Sequence, residues 1–356
     1  MKRTIKEITD YVNSVKGHCK PFFNSDSTVN LYDKYFQEWS EYYFDFVEKY
    51  SNKGWDWHRL SVNPNITFEI IKNNPDKDWN WYWVSCNPNI TFKIVTNNLD
   101  KPWIWTCITR NMNITIDILE NNPEYPWNWK SLSDNPNTTI DTLQKYPYNG
   151  WDWNGLSQHK NITMEYIDNN PDKDWNWEWV SGNPNLTMEY IEKHLDKKWD
   201  WLLISQNSSI TIEHVKKHRC RLWDWHCISR HENITMEIIE NNPTEYWDWT
   251  GISRNRNMTI EIIENNPDKN WEWEWISFNR NITMEFVEKN IDKSWDWNKL
   301  STNHFDKDRE NFLLNKHRQF VRENFKEKLA MVAGHPLNID KYLKMGYEIY
   351  ELDDIM

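Results

Sequence analysis

The stretch WDWHRLSVNPNITFEIIKNNPDKDWNW, residues 55–81, opens and closes on the same Trp-x-Trp motif with a spacing of 24 residues. The motif recurs at this period without a slip along most of the 356-residue chain. A threonine recurs in fixed phase, from Thr67 to Thr283. A fixed period of about 20–50 residues is typical of a repeat array. The Trp-x-Trp motifs begin at Trp55, Trp79, Trp103, Trp127, Trp151, Trp175, Trp199, Trp223, Trp247, Trp271 and Trp295.

Each repeat is predicted to form two short helices. The first begins at the residue between the two tryptophans, usually Asp or Asn as at Asp56, which suits a helix N-cap; Ile104 and Glu272 depart from this pattern. The second begins at Thr67 and its equivalents, usually with a carboxylate two residues later, and Asn-Pro sequences follow the helices. Helices this short are marginal alone, so their stability must come from stacking on neighbouring repeats.

These features predict an all-α solenoid of about ten 24-residue two-helix repeats with helical N- and C-terminal caps. The predicted regions are a cap at 1–54, the Trp-x-Trp solenoid at 55–303 and a second cap at 304–356. The flanks are amphipathic but lack the period, and terminal repeats need polar caps. At roughly 8–10 Å per packed layer, we expect an open array roughly 90 Å long.

The chain contains 26 tryptophans, and most occupy the two ladder positions. Large rings allow a thin repeat to bury enough area, so we expect this ladder to be core. Ser61 and its equivalents form a second ladder, which we interpret as a packing and backbone-bonding position because no base shares its period. The sequence therefore predicts no catalytic residue, no cofactor, no small-molecule substrate and no enzyme activity.

The net charge of −12 and the lack of clustered Lys and Arg disfavour nucleic-acid binding. No apolar run reaches the roughly 18 residues that a membrane span needs, so we expect no membrane association. The N-terminus lacks the apolar region of a secretory signal, and the five cysteines show no paired pattern, which together favour an intracellular protein with reduced thiols. The recurring Asn-Ile-Thr is then interpreted as turn and cap chemistry rather than as a glycosylation site.

One repeat is crowded with possible metal ligands. Histidines four residues apart, such as His214 and His218, can share a metal ion, and Cys220, His226 and Cys227 follow. However, the repeat pattern puts His214 at a half-buried frame position. No metal site is therefore expected.

The segment NPNITFEIIKNNPD, residues 63–76, resembles the leucine-rich repeat variant, whose repeats have the same length and an Asn-Pro-x-Thr-Pro-x-Glu-Leu-Leu theme. The second proline of that theme is missing here, and tryptophans occupy the other helix. The resemblance implies an α-helix paired with a 3₁₀-helix in a right-handed superhelix. The array and the tail LAMVAGHPLNIDKYLKMGYEIYELDDIM also resemble Trp-rich repeat proteins of giant DNA viruses of amoebae, which implies action in host cytoplasm.

In a solenoid, function is expected at positions that vary while the frame stays fixed. On the first helix these are the third, fourth and seventh residues after the leading tryptophan, which share one face. Trp83, Trp179 and Trp275 are extra tryptophans on this face, four repeats apart. The predicted partner-binding residues are Arg59, Trp83, Arg110, Trp179, Arg230, Arg254, Trp275 and Phe278.

We therefore expect a non-catalytic scaffold that binds a protein partner. One alternative is a structural component of a virion or of its assembly. Another is an acidic decoy for basic, nucleic-acid-binding proteins, whose binding would collapse at moderate salt.

Overall fold

The computed structural model describes the backbone of residues 25–333 and the side-chain surroundings of 31–320. Every regular element over residues 25–333 is helical, as predicted. The described residues belong to two compact units, Tyr43–Lys307 and the flanking segments 25–42 and 308–333. Cys19, the N-terminal segment at 1–24 and most of the predicted C-terminal element lie outside the described residues.

Each repeat contains a first helix and a second helix of four to six residues. The first helices are Trp57–Val62, Trp81–Cys86, Trp105–Arg110, Trp129–Leu132, Trp153–Ser157, Trp177–Val180, Trp201–Ile204, Trp225–Ser229, Trp249–Arg254, Trp273–Ile276 and Trp297–Leu300. The second helices are Phe68–Asn73, Phe92–Thr96, Ile116–Asn121, Ile140–Lys145, Met164–Asn169, Met188–Lys193, Ile212–Lys217, Met236–Asn241, Ile260–Asn265 and Met284–Lys289. Both are α-helical, which differs from the α and 3₁₀ pair that the resemblance implied.

The predicted caps are confirmed. Asp56 accepts hydrogen bonds from the backbone N–H groups of His58 and Arg59, whereas Ile104 and Glu272 give no side-chain cap. Thr67 accepts from the N–H of the third residue of its helix, and most equivalent threonines do the same. These bonds fix both helix starts in sequences too short to hold a helix alone.

The tryptophan ladder connects successive repeats. The second tryptophan of each repeat meets the leading tryptophan of the next edge to face, as Trp57 meets Trp79, with centroids 5.0–5.8 Å apart and planes at 79–90°. Each leading indole also donates its N–H to a carbonyl five residues earlier over 2.7–3.0 Å. The leading rings therefore have satisfied polar edges, and the rings pair across every repeat boundary. Trp55, Trp103, Trp151 and Trp295 are buried and the other ladder rings are half-buried, so the prediction that the ladder is core is confirmed only in part.

Serine and asparagine side chains form a second set of bonds across each boundary. Ser61 Oγ accepts the backbone N–H of Asn80 in the next repeat over 2.9 Å, which confirms the backbone-bonding interpretation of the serine ladder. Asn87, which is fully buried, donates to the backbone carbonyls of Ser61, Asn63 and Ile66 in the preceding repeat. Because these amides satisfy buried carbonyls, they hold neighbouring repeats in register.

The asparagines of the Asn-Ile-Thr motif, two residues later in each repeat, also make bonds between repeats. The Asn89 side chain donates to the carbonyls of Pro64 and Ile66 in the preceding repeat over 2.8 and 2.9 Å. Asn65 is fully buried and its amide donates to the carbonyl of His304. A glycan on Asn89 would replace one of the two N–H groups that make these bonds, and the fully buried Asn65 has no room for one. The structure therefore agrees with the turn and cap interpretation.

The repeat unit closes on itself. Asp56 N–H donates to Ser301 Oγ over 2.9 Å, and Asn63 donates to the carbonyls of Ser301 and Asn303. Trp297 meets Trp55 at 5.1 Å and 79°. The hydroxyl bond and the tryptophan pair are the same contacts that join all the other successive repeats, and the asparagine bonds recur at most of those junctions. The unit is therefore a ring of eleven repeats. The prediction of an open array roughly 90 Å long is therefore wrong, because curvature brings the two ends of the array together.

The eleventh repeat combines the last helix of the array with a helix from the N-terminal flank. Its first helix is Trp297–Leu300, and its second helix is the end of the N-terminal helix Ser25–Lys49. Phe44, Phe46 and Val47 are buried at the positions that Phe68, Ile70 and Ile71 occupy in the first repeat. The segment from Tyr43, which the sequence assigned to the N-terminal cap, thus supplies a repeat helix.

Phe305 lies where the chain leaves the eleventh repeat. Its side chain is fully buried against Tyr43 and Phe46, with ring centroids 6.2 and 5.7 Å away. Its φ of 45° is in the left-handed region, which a residue with a bulky side chain rarely adopts. The packing of this ring therefore maintains an unfavourable backbone conformation.

The flanking segments are helical where they are described, as predicted. Within 25–42 and 308–333, Trp39 is fully buried and meets Phe312 with centroids 5.6 Å apart. Lys316 pairs with Glu38 over 2.6 Å. These contacts give the second compact unit a small core of its own.

Candidate interaction surface

The first helices line the inner side of the ring. The closest approaches between helices join successive first helices, whereas successive second helices are farther apart. At Gly251, a Cβ atom would collide with the backbone carbonyl of His226 in the preceding repeat. His226 also reaches Trp275, two repeats further on, with ring centroids 5.5 Å apart. Such close contacts are expected on the narrow side of wedge-shaped repeats, so the predicted variable face is on the inner side.

Two of the three extra tryptophans are exposed on this face. Trp83 is 40% and Trp179 42% exposed. Trp83 lies edge-on to Tyr82, itself 43% exposed, with centroids 5.2 Å apart, and Leu202 is exposed in the repeat after Trp179. The inner face therefore presents two separate apolar patches, one on repeat 2 and one on repeats 6 and 7.

Trp275 differs from the expectation that all three are exposed. Its ring is half-buried, with the Lys299 ammonium 4.6 Å above it and Phe278 at 6.0 Å. Lys299 is itself bonded to its helix cap, Asp296, over 2.7 Å. Trp275 is thus part of a cluster formed by its neighbours, and sequence spacing alone could not separate it from Trp83 and Trp179.

The predicted arginines fall into two groups. Arg59 pairs with Asp56 over 3.0 Å, and Arg110 pairs with Asp134 of the next repeat over 3.1 Å. Arg254 instead lies 4.5 Å above the ring of Phe278. No carboxylate among the described residues forms an ion pair with Arg230 or Arg254. The structure therefore brings together Arg230, Arg254, Trp275 and Phe278 and separates them from the other predicted residues.

Cys86 and Cys227, two thiols of this face, are poor nucleophiles. Burial, followed by a hydrogen bond with Cys107, raises the pKa of the Cys86 thiol to about 12. Burial, followed by a hydrogen bond with Asp224, raises the pKa of Cys227 to about 11. Both thiols are therefore protonated near neutral pH, whereas nucleophilic attack requires the thiolate.

The histidines of the seventh and eighth repeats are distributed among structural contacts. His214 completes a capping box with Thr211, His218 lies 2.8 Å from Glu192, and His226 lies 2.8 Å from the hydroxyl of Thr250. Among residues 31–320, no three His, Cys, Asp or Glu side chains are arranged to hold a metal ion.

Sequence reasoning missed the asparagine ladder. The Asn-Pro pairs were interpreted only as helix ends, yet the asparagine side chains make most of the side-chain bonds between repeats. The signal was available, because Asn63 and Asn65 recur in phase with the tryptophans. A polar side chain that recurs at a helix end beside buried residues indicates an inter-repeat bond.

No helix within the described part of the chain is both long and apolar enough to cross a membrane. Comparisons with protein-family models, with curated proteins and with solved structures found no match. The geometry of the repeat unit is therefore the basis for the functional proposals.

Proposed function

We propose that this protein is a non-catalytic scaffold that binds a protein partner on the inner face of its ring, with Trp83 and Trp179 as anchors. The observation that carries the proposal is the exposure of these two side chains, 40% and 42%. Ladder contacts hold the tryptophan pairs of all eleven repeats, and Trp39 is fully buried. Tryptophan is enriched among residues that dominate the binding energy of protein interfaces.

The frame supports anchoring because it is preorganised. Trp83 and Trp179 lie on helices whose N-caps, Asn80 and Asn176, bond their own backbone N–H groups. Neighbouring helices on both sides are bonded through the serine and asparagine ladders. A rigid site loses less conformational entropy on association, so a moderate contact area gives useful affinity.

The repeat motif and the tail support an extension of this proposal. The tryptophan-rich repeats resemble those of giant DNA viruses of amoebae, and the Asn-Pro-x-Thr theme resembles the leucine-rich repeat variant. On this basis we propose that the protein is viral and acts in host cytoplasm, with a role as a virion component as the alternative.

A second candidate function follows from the outer side of the ring. Carboxylates at the second position of the second helices are exposed there, such as Glu69, Glu165 and Glu261. They suit an acidic decoy that binds basic proteins, and binding of that kind should weaken steeply with salt. Binding through the tryptophan anchors should be much less sensitive to salt, which separates the two candidates.

The test is capture of partners from host-cell lysate by the full chain and by its Trp83→Ala/Trp179→Ala form. A Tyr148→Ala/Leu222→Ala form is the matched control, because these side chains are 95% and 81% exposed but lie in loops after second helices. We expect a partner that is lost only with the tryptophan variant and retained at moderate salt. Equal capture by all three proteins would refute the proposal.

A further inference from the structure

Arg230, Arg254, Trp275 and Phe278 form a cluster on repeats 8–10, and Arg280 adds a third arginine to it although the protein is acidic overall. Arg230 and Arg254 occupy the same position of successive repeats, and Arg280 lies just beyond Phe278 in the repeat that follows. Both Arg230 and Arg254 are half-buried, and Arg280 is exposed. Burial, and next the like charge of Arg230, lowers the pKa of Arg254, and Arg280 contributes in the same direction. The Arg254 guanidinium therefore lies close enough to Arg230 and to Arg280 to be affected by both positive charges.

Nearby carboxylates do not neutralise this group. Glu232 pairs with Arg256 over 2.9 Å, and Asp224 caps its own helix. Within the part of the chain whose side chains are described, no carboxylate forms an ion pair with any of the three arginines. Like charges held together without a counterion are unfavourable, so the arrangement is suited to an added anion.

Another part of the ring shows the alternative arrangement. Arg110 occupies the same repeat position as Arg230 and Arg254, and the equivalent residue of the next repeat is Asp134, 3.1 Å away. In the repeat that follows Arg230, the equivalent residue is Arg254. In the repeat after that it is Phe278, whose ring lies 4.5 Å from the Arg254 guanidinium. The same frame therefore supplies a carboxylate in one place and, in the other, leaves the edge of the Arg254 guanidinium available above the Phe278 ring.

We propose that Arg230, Arg254 and Arg280 bind a phosphate monoester carried by a protein partner. A phosphorylated side chain brings roughly −1.5 to −2 charges and three acceptor oxygens, which match several guanidinium groups better than one carboxylate does. Phe278 and Trp275 lie beside the arginines and offer an apolar wall to the segment that carries the phosphate. This inference rests on the proposed scaffold function and specifies the chemistry of the partner.

The test measures binding of peptides to the full-length protein by titration calorimetry at constant ionic strength. The probes are Gly-Gly-phosphoserine-Gly-Gly, the same peptide with Glu at the centre, and inorganic phosphate. We expect saturable binding of the phosphopeptide at millimolar concentrations and at least tenfold weaker binding of the Glu peptide. No saturable phosphopeptide binding, or equal binding of the Glu peptide, would overturn the proposal.

Variants locate the site. Arg254→Gln should weaken phosphopeptide binding at least tenfold, whereas Arg110→Gln, the paired arginine at the same repeat position, should leave it unchanged. Phe278→Asp should also abolish binding, because it supplies Arg254 with the internal carboxylate that Arg110 already has. Unchanged binding by Arg254→Gln would place the phosphate elsewhere and refute the site.

One further probe tests the source of the phosphate. If a single-stranded oligonucleotide of ten residues bound more tightly than the phosphopeptide, and lost binding with Arg254→Gln, the protein source would be refuted. Because these titrations use no partner, they remain distinguishable from the capture experiment. Phosphopeptide binding with equal capture by the tryptophan variant would keep the arginine site and remove the tryptophan anchors.

Discussion

Between repeats 1 and 2, Asn80 N–H donates to Ser61 Oγ over 2.9 Å; where repeat 11 meets repeat 1, Asp56 N–H donates to Ser301 Oγ over the same distance. The edge-to-face tryptophan pairs at these two junctions both have centroids 5.1 Å apart. The internal junction is crossed by the polypeptide, whereas the closing junction joins residues some 240 positions apart. A ring of eleven requires a turn of roughly 33° per repeat, so the same repeated packing that builds each internal junction also brings the ends together.

The closing junction differs from the junction between repeats 1 and 2 in the third acceptor of the ladder asparagine. Asn87 uses the carbonyl of Ile66 as its third acceptor, whereas Asn63 uses the hydroxyl of Tyr43, 3.2 Å away. Tyr43 is fully buried, and burial raises the pKa of its hydroxyl. The N-terminal helix thus replaces a missing backbone acceptor with a side chain, and the asparagine remains satisfied at both junctions.

The largest effect is expected from Phe46→Ala at the closing junction. Phe46 is 6% exposed and contacts Trp55 and Phe305, so its loss should lower the free energy of unfolding of the repeat unit by about 3–5 kcal/mol. Ile70→Ala, at the equivalent position of repeat 1, is the matched control. Denaturant unfolding measures both. A negligible cost for Phe46→Ala beside a large cost for Ile70→Ala would mean that the ring is open in solution.

A smaller effect is expected from Ser301→Ala, compared with Ser61→Ala. Each change removes the acceptor of a backbone N–H, from Asp56 or Asn80, and each should cost about 1–3 kcal/mol. We expect the two costs to agree closely if the junctions are energetically equivalent. Hydrogen exchange of the Asp56 and Asn80 amides checks the local effect, and fast exchange at Asp56 in the unaltered protein would contradict closure.

The smallest expected effect is a dependence of stability on pH. It comes from two internal junctions at which histidine replaces the ladder asparagine. His159 Nε2 lies 2.9 Å from the carbonyl of Asn135, and His231 Nε2 is buried without a partner. Burial lowers the pKa of both side chains below the usual value of 6.5. The unfolded chain therefore binds more protons, and stability should fall as the pH drops below about 6.5.

The variant His159→Asn/His231→Asn restores the ladder asparagines and tests this pH dependence. It should reduce the loss of stability between about pH 6.5 and 5, above the range where carboxylates titrate. The closing junction already has Asn63 and should show no such dependence. Thermal unfolding across this pH range measures the difference, and identical pH profiles for the variant and the unaltered protein would contradict the prediction.

The fold class could be predicted from the sequence because the fixed 24-residue period indicates a repeat array directly. Asp56 and Thr67 were recognised as caps from local chemistry. The spacing of the ladder tryptophans indicated packing between repeats, although most of these rings are half-buried rather than core. Closure was missed because Tyr43 replaces the capping threonine inside a continuous helix, so the second helix of repeat 11 has no visible start. The spacing was nevertheless present, since Tyr43 precedes Trp55 by as many residues as Thr67 precedes Trp79.

The candidate surface was predicted only in part. Spacing placed Trp83, Trp179 and Trp275 at one repeat position, but exposure depends on the side chains of the adjoining repeats. Lys299 and His226 cover Trp275, and one of these contacts comes from two repeats away. Likewise, the charge of Arg254 becomes informative only once its neighbours are known to be Arg230 and Phe278 rather than a carboxylate.

Ring closure also bears on how such a gene can vary. An open solenoid can gain or lose a unit by unequal recombination, because each repeat needs only its two neighbours. In this protein, deletion or duplication of one 24-residue unit would change the angle at every boundary or leave the tryptophan of the last repeat without the partner that Trp55 now supplies. Loss or gain of a single unit should therefore destabilise the ring, and variants of this array are expected to differ by substitution and to keep eleven units.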